Sequence, residues 1–264
     1  GYGMTEATCL VSGNPVDGGV RKIGSVGIPF PYTKVKIAKE GSDLKKINTC
    51  KVDEIGEVCV ANPGVIPGQT YTDSKKNKDL FYETDFLRTG DLGYVDKDGY
   101  LYITGRAKDL IIRGGHNIDP AIAEEALASH PAVAMVGVIG QPDARVGELP
   151  CAYVELIKGS ETTVGELIKH AEDNIGEKAA VPKYLDLVDE MPKTPVGKIF
   201  KPELRKRAIT RVYNEALEKS GLTARVQEVV DHPKKGLTAM IAKNGVNDPK
   251  QIGKILDKFI FKWD

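Results

Sequence analysis

The pattern of the sequence changes within one stretch, Gly105 to Ile118, and this change limits the folds that are open to the chain. Before it, short apolar or alternating runs are separated by glycine and proline, which predicts a β-rich region without a long amphipathic helix. After it, apolar runs alternate with segments of helical spacing, which predicts a compact α/β unit. We therefore expect two regions of different construction that meet at this stretch.

Within the stretch itself, the residues predict two strands joined by a charged corner. Residues 100–104 alternate apolar and polar side chains, residues 106–109 read Arg-Ala-Lys-Asp, and residues 110–112 form an apolar run that is followed by Gly114 and Gly115. Two successive glycines allow backbone angles, and a close approach by another molecule, that a side chain would prevent. An ordinary hairpin with a flexible tip is the alternative interpretation.

Residues that start or stop helices and strands define the elements on either side. A turn at residues 97–99 predicts a hairpin of residues 92–95 with 100–104. Asp119 and Pro120 predict a helix that runs to about Ser129. Thr163 and Glu166 predict a capping box for a second helix, whose apolar positions continue to Ile175. Other strands are predicted at residues 33–37, 57–60, 133–139, 150–157 and 184–188.

The last part of the chain separates from the rest on its pattern. A charged helix is predicted from Pro202 to about Gly221, followed by strands at residues 225–230 and 237–242. A further helix is predicted to begin at Asp248 and Pro249, with its apolar face formed by Ile252, Ile255, Leu256, Phe259 and Ile260. This α-β-β-α appendage is most simply a packing extension, and Trp263 a packing contact. The predicted domains are residues 1–107, 108–210 and 211–264.

Composition excludes several classes of function. Lysine plus arginine and aspartate plus glutamate number 37 each, so the formal charge is zero and nothing favours nucleic acid or a membrane surface as a partner. The four cysteines are scattered without C-x-x-C pairing, which argues against a zinc site and a disulfide framework and fits a cytoplasmic location. No apolar run is long enough to span a bilayer. The motif-like opening, which lacks a preceding strand, predicts a fragment of a longer protein.

Four short stretches carry side chains suited to nucleotide chemistry. Residues 2–6, Tyr-Gly-Met-Thr-Glu, offer an aromatic plane, a hydroxyl and a carboxylate for a purine, a phosphate and a magnesium ion. Asp91, next to a glycine, suits paired ribose hydroxyls because a carboxylate only accepts hydrogen bonds. Arg106 supplies a fork of donors for phosphate or sugar oxygens. Lys198 is a point charge on a loop whose prolines restrict its movement.

Each stretch also has a simpler interpretation. Thr5 and Glu6 could cap a following helix, and Asp91 could be a turn residue. Arg106, Lys108 and Lys198 could be solvated surface charges. Short patterns match by chance, so the prediction depends on the four stretches occurring together in this order.

Taken together, these stretches resemble the C-terminal part of an adenylate-forming enzyme. This superfamily includes acyl-CoA synthetases, the adenylation domains of nonribosomal peptide synthetases, and firefly luciferase. Within it, the sequence of residues 105–120 is most similar to fatty acyl-CoA ligases. The resemblance implies the β-rich end of a large N-terminal domain, followed by a small mobile α/β C-terminal domain and the appendage. The matching segments are YGMTEA at 2–7, GSVGIPFP at 24–31, GEVCV at 56–60, RTGDLGY at 88–94, GRAKDLIIRGGHNIDP at 105–120 and PKTPVGKIFK at 192–201.

The resemblance implies a nucleotide site in the first of these domains. Tyr2 would stack on adenine, within a segment that includes Gly3. Thr5 would contact a phosphate oxygen, Asp91 would hold the ribose hydroxyls, and Arg106 would assist at the ribose and phosphate.

The resemblance also implies a reaction in two steps, in which a fatty or other apolar carboxylic acid is adenylated by ATP and its acyl group is then transferred to the thiol of coenzyme A. Glu6 would bind Mg²⁺, and Lys198 would neutralise the carboxylate and the α-phosphate as they meet. Lys108 would be the pivot between the domains. After the pivot, Gly114 and Gly115 would line the passage for the thiol.

The sequence departs from the family in two places. The glycine-, serine- and threonine-rich phosphate loop is absent from the 264 residues, as are most residues expected to shape the acyl pocket, so we expect these residues alone to be inactive and to need an upstream N-terminal part of the same protein. Ile112 replaces a lysine that serves the second step in some members. Two alternatives stay open: an enzyme that loads a phosphopantetheine carrier protein, and a non-catalytic binding module.

Overall fold

The computed structural model describes residues 1–243, 245–246 and 249–264, which fold as a mixed α/β protein, as predicted. The chain forms two compact units, Gly1–Lys108 and Asp109–Asp264. Among the described residues, no helix has the length and apolar character needed to cross a membrane.

The first unit, all of whose residues are described, is built from short strands and single-turn 3-10 helices. Three strands form one antiparallel sheet in the order β1-β2-β3, and a second sheet has the order β4-β5-β7-β6 with β8 paired to β7. Its core includes Val11, Val58, Leu87 and Leu101, all fully buried. The strands are β1 (Tyr2–Met4), β2 (Cys9–Gly13), β3 (Ile28–Pro29), β4 (Lys34–Ala38), β5 (Gly56–Ala61), β6 (Phe81–Tyr82), β7 (Phe86–Val95) and β8 (Leu101–Arg106).

The second unit alternates strands with helices. Its larger sheet has the order β10-β9-β12-β11, with β13 parallel to β12, and its smaller sheet has the order β14-β15-β16. The described strands are β9 (Ile111–Arg113), β10 (His116–Ile118), β11 (Val133–Asp143), β12 (Gly147–Leu156), β13 (Tyr184–Leu187), β14 (Arg225–His232), β15 (Gly236–Ala242) and β16 (Lys262–Trp263). The described helices are α1 (Pro120–Ala128), α2 (Val164–Asn174), α3 (Lys201–Lys219) and α4 (Pro249–Leu256).

Helix α3 contributes to two separate cores in this unit. Leu204 packs with Met191 against the larger sheet, whereas Tyr213 and Leu217 pack with Ile252 in the C-terminal segment. The domain division predicted from the sequence stays a prediction, and its boundary at residues 210–211 falls inside α3.

The helix starts predicted from capping residues are confirmed. The Asp119 side chain accepts a hydrogen bond from the Ala121 amide at 2.9 Å and caps α1. Thr163 and Glu166 form the reciprocal capping box at the start of α2. Both helices therefore begin where their side-chain oxygens can satisfy the first free amides.

The two strands joined by a charged corner are confirmed as β8 and β9, and the glycine-tipped hairpin is formed by β9 with β10. Two expectations about the C-terminal segment were wrong. Helix α4 ends at Leu256, because the Phe259 amide turns back to the Leu256 carbonyl at 3.0 Å, and Ile260 is exposed. Trp263 lies in β16, a third strand that adds to the α-β-β-α pattern. Asp248, the predicted helix start, lies outside the described residues.

Candidate functional site

Thr5 and Glu6 lie at a tight corner between β1 and β2. They belong to the 3-10 helix Thr5–Ala7, whose N-cap, Met4, makes no side-chain cap, so the simpler helix-cap interpretation is not seen. The chain then passes through Thr8, whose φ of 52° is unfavourable for a β-branched residue. Its hydroxyl donates to the Gly64 carbonyl at 2.8 Å.

Gly64 is required for this corner because of its close approach to Thr8. A Cβ added to Gly64 would lie 2.6 Å from the Thr8 Cβ, which is closer than carbon atoms can pack. Unusual backbone angles persist only where the surroundings fix them, and they are concentrated at functional sites. The backbone that carries Glu6 is therefore fixed by packing against a distant segment.

The Glu6 carboxylate is hydrogen-bonded by Tyr71, a residue that the sequence did not single out. The Tyr71 hydroxyl donates to Glu6 Oε1. The same bond raises the pKa of the Tyr71 hydroxyl, so it stays a donor at neutral pH. The two residues are 65 positions apart and no short motif joins them, so no local pattern could have revealed the contact.

Asp91 is a buried carboxylate at the centre of a partly buried polar cluster. Its side chain accepts a hydrogen bond from the Tyr2 hydroxyl at Oδ2 and an ion pair from Arg106 Nε at Oδ1, at 2.9 Å. Only 7% of Asp91 is exposed. Burial and the bond to Asp91 both raise the pKa of Tyr2, which therefore stays protonated. The cluster brings together three of the residues predicted to hold the nucleoside.

Strand register explains why this cluster forms. Asp91 in β7 and Arg106 in β8 are direct cross-strand partners, so their side chains lie side by side. Gly90, with φ of 72°, lets β7 bend just before Asp91. Thr89 Oγ1 accepts from the Asp91 amide at 3.0 Å and donates to the Val58 carbonyl at 2.7 Å, which fixes the bend.

The surface of the first unit has two depressions that are lined by predicted site residues. A cleft of about 500 Å³ is lined by Glu6, Tyr71, Arg106 and Lys108, among others. A second, more open depression of about 730 Å³ is lined by residues 1–5 and 8–10, which include Tyr2, Gly3 and Thr5. Most predicted site residues of this unit therefore line surfaces that a ligand could enter, whereas Asp91 is not among the lining residues.

The oxygen atoms of Glu6 fit a magnesium ion held by one protein carboxylate. Tyr71 occupies Oε1, which leaves Oε2 for a cation. Mg²⁺ keeps several waters and is commonly bound through one or two carboxylates together with substrate phosphates. Among the described residues there is no group of three or more histidine, cysteine or acidic side chains that could hold a metal by themselves.

In the second unit, Gly114 and Gly115 form the turn of the β9–β10 hairpin. Arg113 pairs with His116 across a two-residue loop, and both glycines have positive φ, 59° and 82°. This is the turn type that matches the twist of a two-stranded hairpin. The ideal Cβ positions of both glycines face open space, so their lack of side chains leaves the tip accessible.

Lys198 lies on a closed turn in the second unit. The Gly197 amide donates to the Thr194 carbonyl at 2.8 Å, and the Thr194 amide donates to the Lys198 carbonyl at 2.7 Å. Pro195 sets the backbone angle at the second position of this turn. The backbone of Lys198 is thus fixed, while its side chain is exposed.

Lys108 lies in the 3-10 helix Ala107–Asp109, at the last position of the first unit. The next residue, Asp109, belongs to the second unit and forms an ion pair with Arg205 of α3 at 3.1 Å. Ion pairs within each unit, Asp91 with Arg106 and Asp109 with Arg205, therefore flank Lys108 on both sides.

Family models identify the class of protein to which the chain belongs. Residues 1–69 match the model described as AMP-binding enzyme, and residues 123–198 match the AMP-binding enzyme C-terminal domain. The chain belongs to the adenylate-forming enzyme superfamily and corresponds to its C-terminal portion.

Relatives with curated names agree with this class. Marinolic acid–CoA ligase of Pseudoalteromonas sp. (strain SANK 73390) is 40% identical over 269 aligned positions, which cover 100% of this chain and 41% of the relative. The 2-succinylbenzoate–CoA ligase of Bacillus cereus (strain Q1) is 36% identical over 204 positions, covering 77% of this chain and 40% of the relative. The chain thus spans about two fifths of the length of these relatives.

Solved structures give the same fold. ATP-bound MatB from Rhodopseudomonas palustris superposes with a TM-score of 0.69 at 33% identity, covering 77% of this chain and 39% of that protein. O-succinylbenzoate coenzyme A synthetase (MenE) from Bacillus subtilis, in complex with ATP and magnesium, gives a TM-score of 0.66 at 35% identity, covering 77% and 40%.

Proposed function

We propose that the full-length protein is an AMP-forming acid–thiol ligase. It activates a carboxylic acid with ATP to an acyl-adenylate, releases pyrophosphate, and transfers the acyl group to coenzyme A. The observation that carries this proposal is the cluster of Tyr2, Asp91 and Arg106, which provides a buried carboxylate for a ribose beside an aromatic ring and a cation. The named CoA ligases among its relatives support the same reaction class.

The Asp91 carboxylate has acceptor positions left for the hydroxyls of a nucleoside. Each carboxylate oxygen already accepts one hydrogen bond, and each retains a second lone pair for a ribose hydroxyl. Arg106 forms an ion pair with Asp91, and its half-exposed side chain has further donors that a phosphate could use. Tyr2 presents its ring while its hydroxyl is fixed, so that adenine meets a rigid plane. Gly3 and Thr5 complete this edge of the site.

Glu6 is the proposed ligand for Mg²⁺, with Oε2 as the available oxygen. When bound, the ion would neutralise phosphate charge and so ease the approach of an anionic acid to ATP. The exposed Lys198 would add a mobile positive charge to the same task, bridging the acid and the α-phosphate.

The two steps call for different groups from the second unit. We propose that Lys198 serves adenylation, and that a pivot at Lys108 then replaces it with the Gly114–Gly115 turn, which lines the path of the thiol. The closed Lys198 turn and the accessible glycine tip, both held by hydrogen bonds within the second unit, support this proposal. Domain rotations of this kind commonly gate the steps of a reaction.

The acid itself is left open. The named relatives act on marinolic acid and 2-succinylbenzoate, so they give no special support to the fatty acid that the wording of residues 105–120 suggested. The proposed cofactors are ATP, Mg²⁺ and coenzyme A, and the proposed partner is an N-terminal part of the same protein that carries the phosphate loop. Without that loop, we expect the 264 residues alone to be inactive. A cytoplasmic location stays a prediction.

Substitution of Lys198 tests the two-step assignment. In the full-length protein, Lys198→Ala should reduce acid-dependent exchange of pyrophosphate into ATP by about a hundredfold or more, comparable to the removal of one preorganised charge from a transition state. Thioester formation from a supplied acyl-adenylate should stay within about threefold of wild type. Lys183→Ala, which removes another exposed lysine of this unit, is the matched control. Equal losses in both steps would contradict the assignment.

Two alternative functions differ from this ligase: one in the acceptor of the acyl group, the other in the lack of catalysis. An enzyme that loads a carrier protein would form thioester only on a phosphopantetheinylated carrier and none on free coenzyme A. A non-catalytic module would show no pyrophosphate exchange with any acid, even at full length. Parallel assays of the full-length protein with coenzyme A and with a carrier would therefore distinguish all three.

A further inference from the structure

Glu6 is held from two directions by segments far from it in sequence. Its backbone corner packs on Gly64, and its side chain accepts from Tyr71. Both contacts come from the loop between β5 and β6, which no motif of the sequence singled out. We propose that Tyr71 is a positioning residue that orients the Glu6 carboxylate for the metal–nucleotide complex, an inference that rests on the proposed function.

The loop is constructed so that Tyr71 has little freedom. The Asn77 side chain accepts from the Tyr71 amide and donates to the Tyr71 carbonyl, both at 2.8 Å, which fixes the Tyr71 backbone on both sides. Asn77 is itself held at the end of the 3-10 helix Ser74–Asn77, whose N-cap is the side chain of Asp73.

The hydrogen bond from Tyr71 makes the two carboxylate oxygens of Glu6 inequivalent. Tyr71 takes Oε1 and limits rotation of the carboxylate about its terminal bond, which leaves Oε2 as the oxygen for a cation at the cleft that both residues line. A carboxylate that is held in advance loses less conformational freedom when it binds a cation.

Residues that hydrogen-bond a metal ligand change metal affinity measurably when they are removed. Loss of such a partner typically costs about 10- to 100-fold in affinity or activity. Because Glu6 is only partly buried and waters can replace the hydroxyl, we expect the lower end of this range, about tenfold. The expected loss concerns the metal-dependent part of ATP binding and not binding of the nucleoside, which belongs to the Asp91 cluster.

The test measures equilibrium binding of ATP to the full-length protein, with saturating Mg²⁺ and with EDTA, in the absence of any acid. The dissociation constant in EDTA divided by that in Mg²⁺ is the factor by which the ion tightens ATP binding, and we call this factor the gain. Tyr71→Phe should reduce this gain about tenfold while the dissociation constant in EDTA stays within twofold. Asn77→Ala, which frees the Tyr71 backbone, should act in the same direction.

Tyr100→Phe is the matched control, since it removes a buried tyrosine hydroxyl of the same unit that donates to the Val20 carbonyl, outside the cleft. It should leave the gain unchanged. An unchanged gain in Tyr71→Phe, or an equal loss with Mg²⁺ and with EDTA, would overturn the role of Tyr71 while leaving the ligase proposal intact. If wild type gains nothing from Mg²⁺, the proposed magnesium site fails, and the role of Tyr71 fails with it.

Discussion

Replacement of Asp91 by asparagine tests the nucleoside site directly. The substitution keeps the shape of the side chain and one oxygen acceptor, but it removes the negative charge that pairs with Arg106 and replaces Oδ1 or Oδ2 with a donor. We expect the variant to fold, because Arg106 is half exposed and can be solvated. Its ability to recognise ribose hydroxyls should fall.

The magnitude follows from the hydrogen bonds that the carboxylate has left to make. Tyr2 and Arg106 use one acceptor position on each oxygen of Asp91, and an ionised carboxylate offers about four, so about two remain for the 2′- and 3′-hydroxyls. A hydrogen bond to a charged group contributes roughly 1.5–3 kcal/mol. Since about 1.4 kcal/mol is a tenfold change, loss of one such bond should weaken ATP binding roughly 10- to 150-fold.

The assay compares ATP with 2′,3′-dideoxy-ATP by equilibrium binding to the full-length protein. Wild type should bind ATP more tightly by at least the factor given above, and Asp91→Asn should lose most of this preference while it binds the dideoxy nucleotide nearly as well as wild type does. Asp96→Asn, which alters another ion-paired aspartate close by in the same unit, is the control and should keep the preference. Equal weakening of both nucleotides by Asp91→Asn would refute the assignment, since it would indicate a structural role alone.

Two further predictions concern the fold. Thr163→Ala removes the capping box of α2 and should cost about 1 kcal/mol of local stability. Hydrogen exchange of the α2 amides should then be roughly fivefold faster. Unchanged exchange would show that the cap contributes nothing. Burial raises the pKa of Cys59 and of Cys151 to about 12, whereas Cys9 is exposed. Iodoacetamide at pH 8 should therefore alkylate Cys9 well before the other two, as measured by mass spectrometry. Comparable labelling of all three would contradict the burial of the two strands that carry them.

Features that depend on neighbouring residues were readily predicted from the sequence. The starts of α1 and α2 were predicted because capping requires an oxygen within three residues of the amides that it satisfies. The hairpin of β7 and β8 was predicted from the turn at residues 97–99, since tight turns fix which strands pair. The residues Tyr2, Asp91 and Arg106 were predicted individually from their chemistry.

Features that depend on distant contacts could not be predicted in this way. The bond from Tyr71 to Glu6 joins residues whose only relation is the packing of a loop on a corner. The end of α4 at Leu256 was missed because the apolar spacing continues through Phe259, and periodicity alone cannot show where the backbone turns away. The parallel pairing of β16 with β15 leaves no local mark on the sequence.

The glycine turn has a consequence for the exchange of segments between related enzymes. The Gly114 amide donates to the Val146 carbonyl at 2.7 Å, and Val146 lies in the tip that joins β11 to β12. Asp143 shapes that tip by accepting from the amides of Arg145 and Val146. A graft that transfers the glycine turn without residues 143–147 would separate two loops that are matched to each other, so a chimera should take both from one parent.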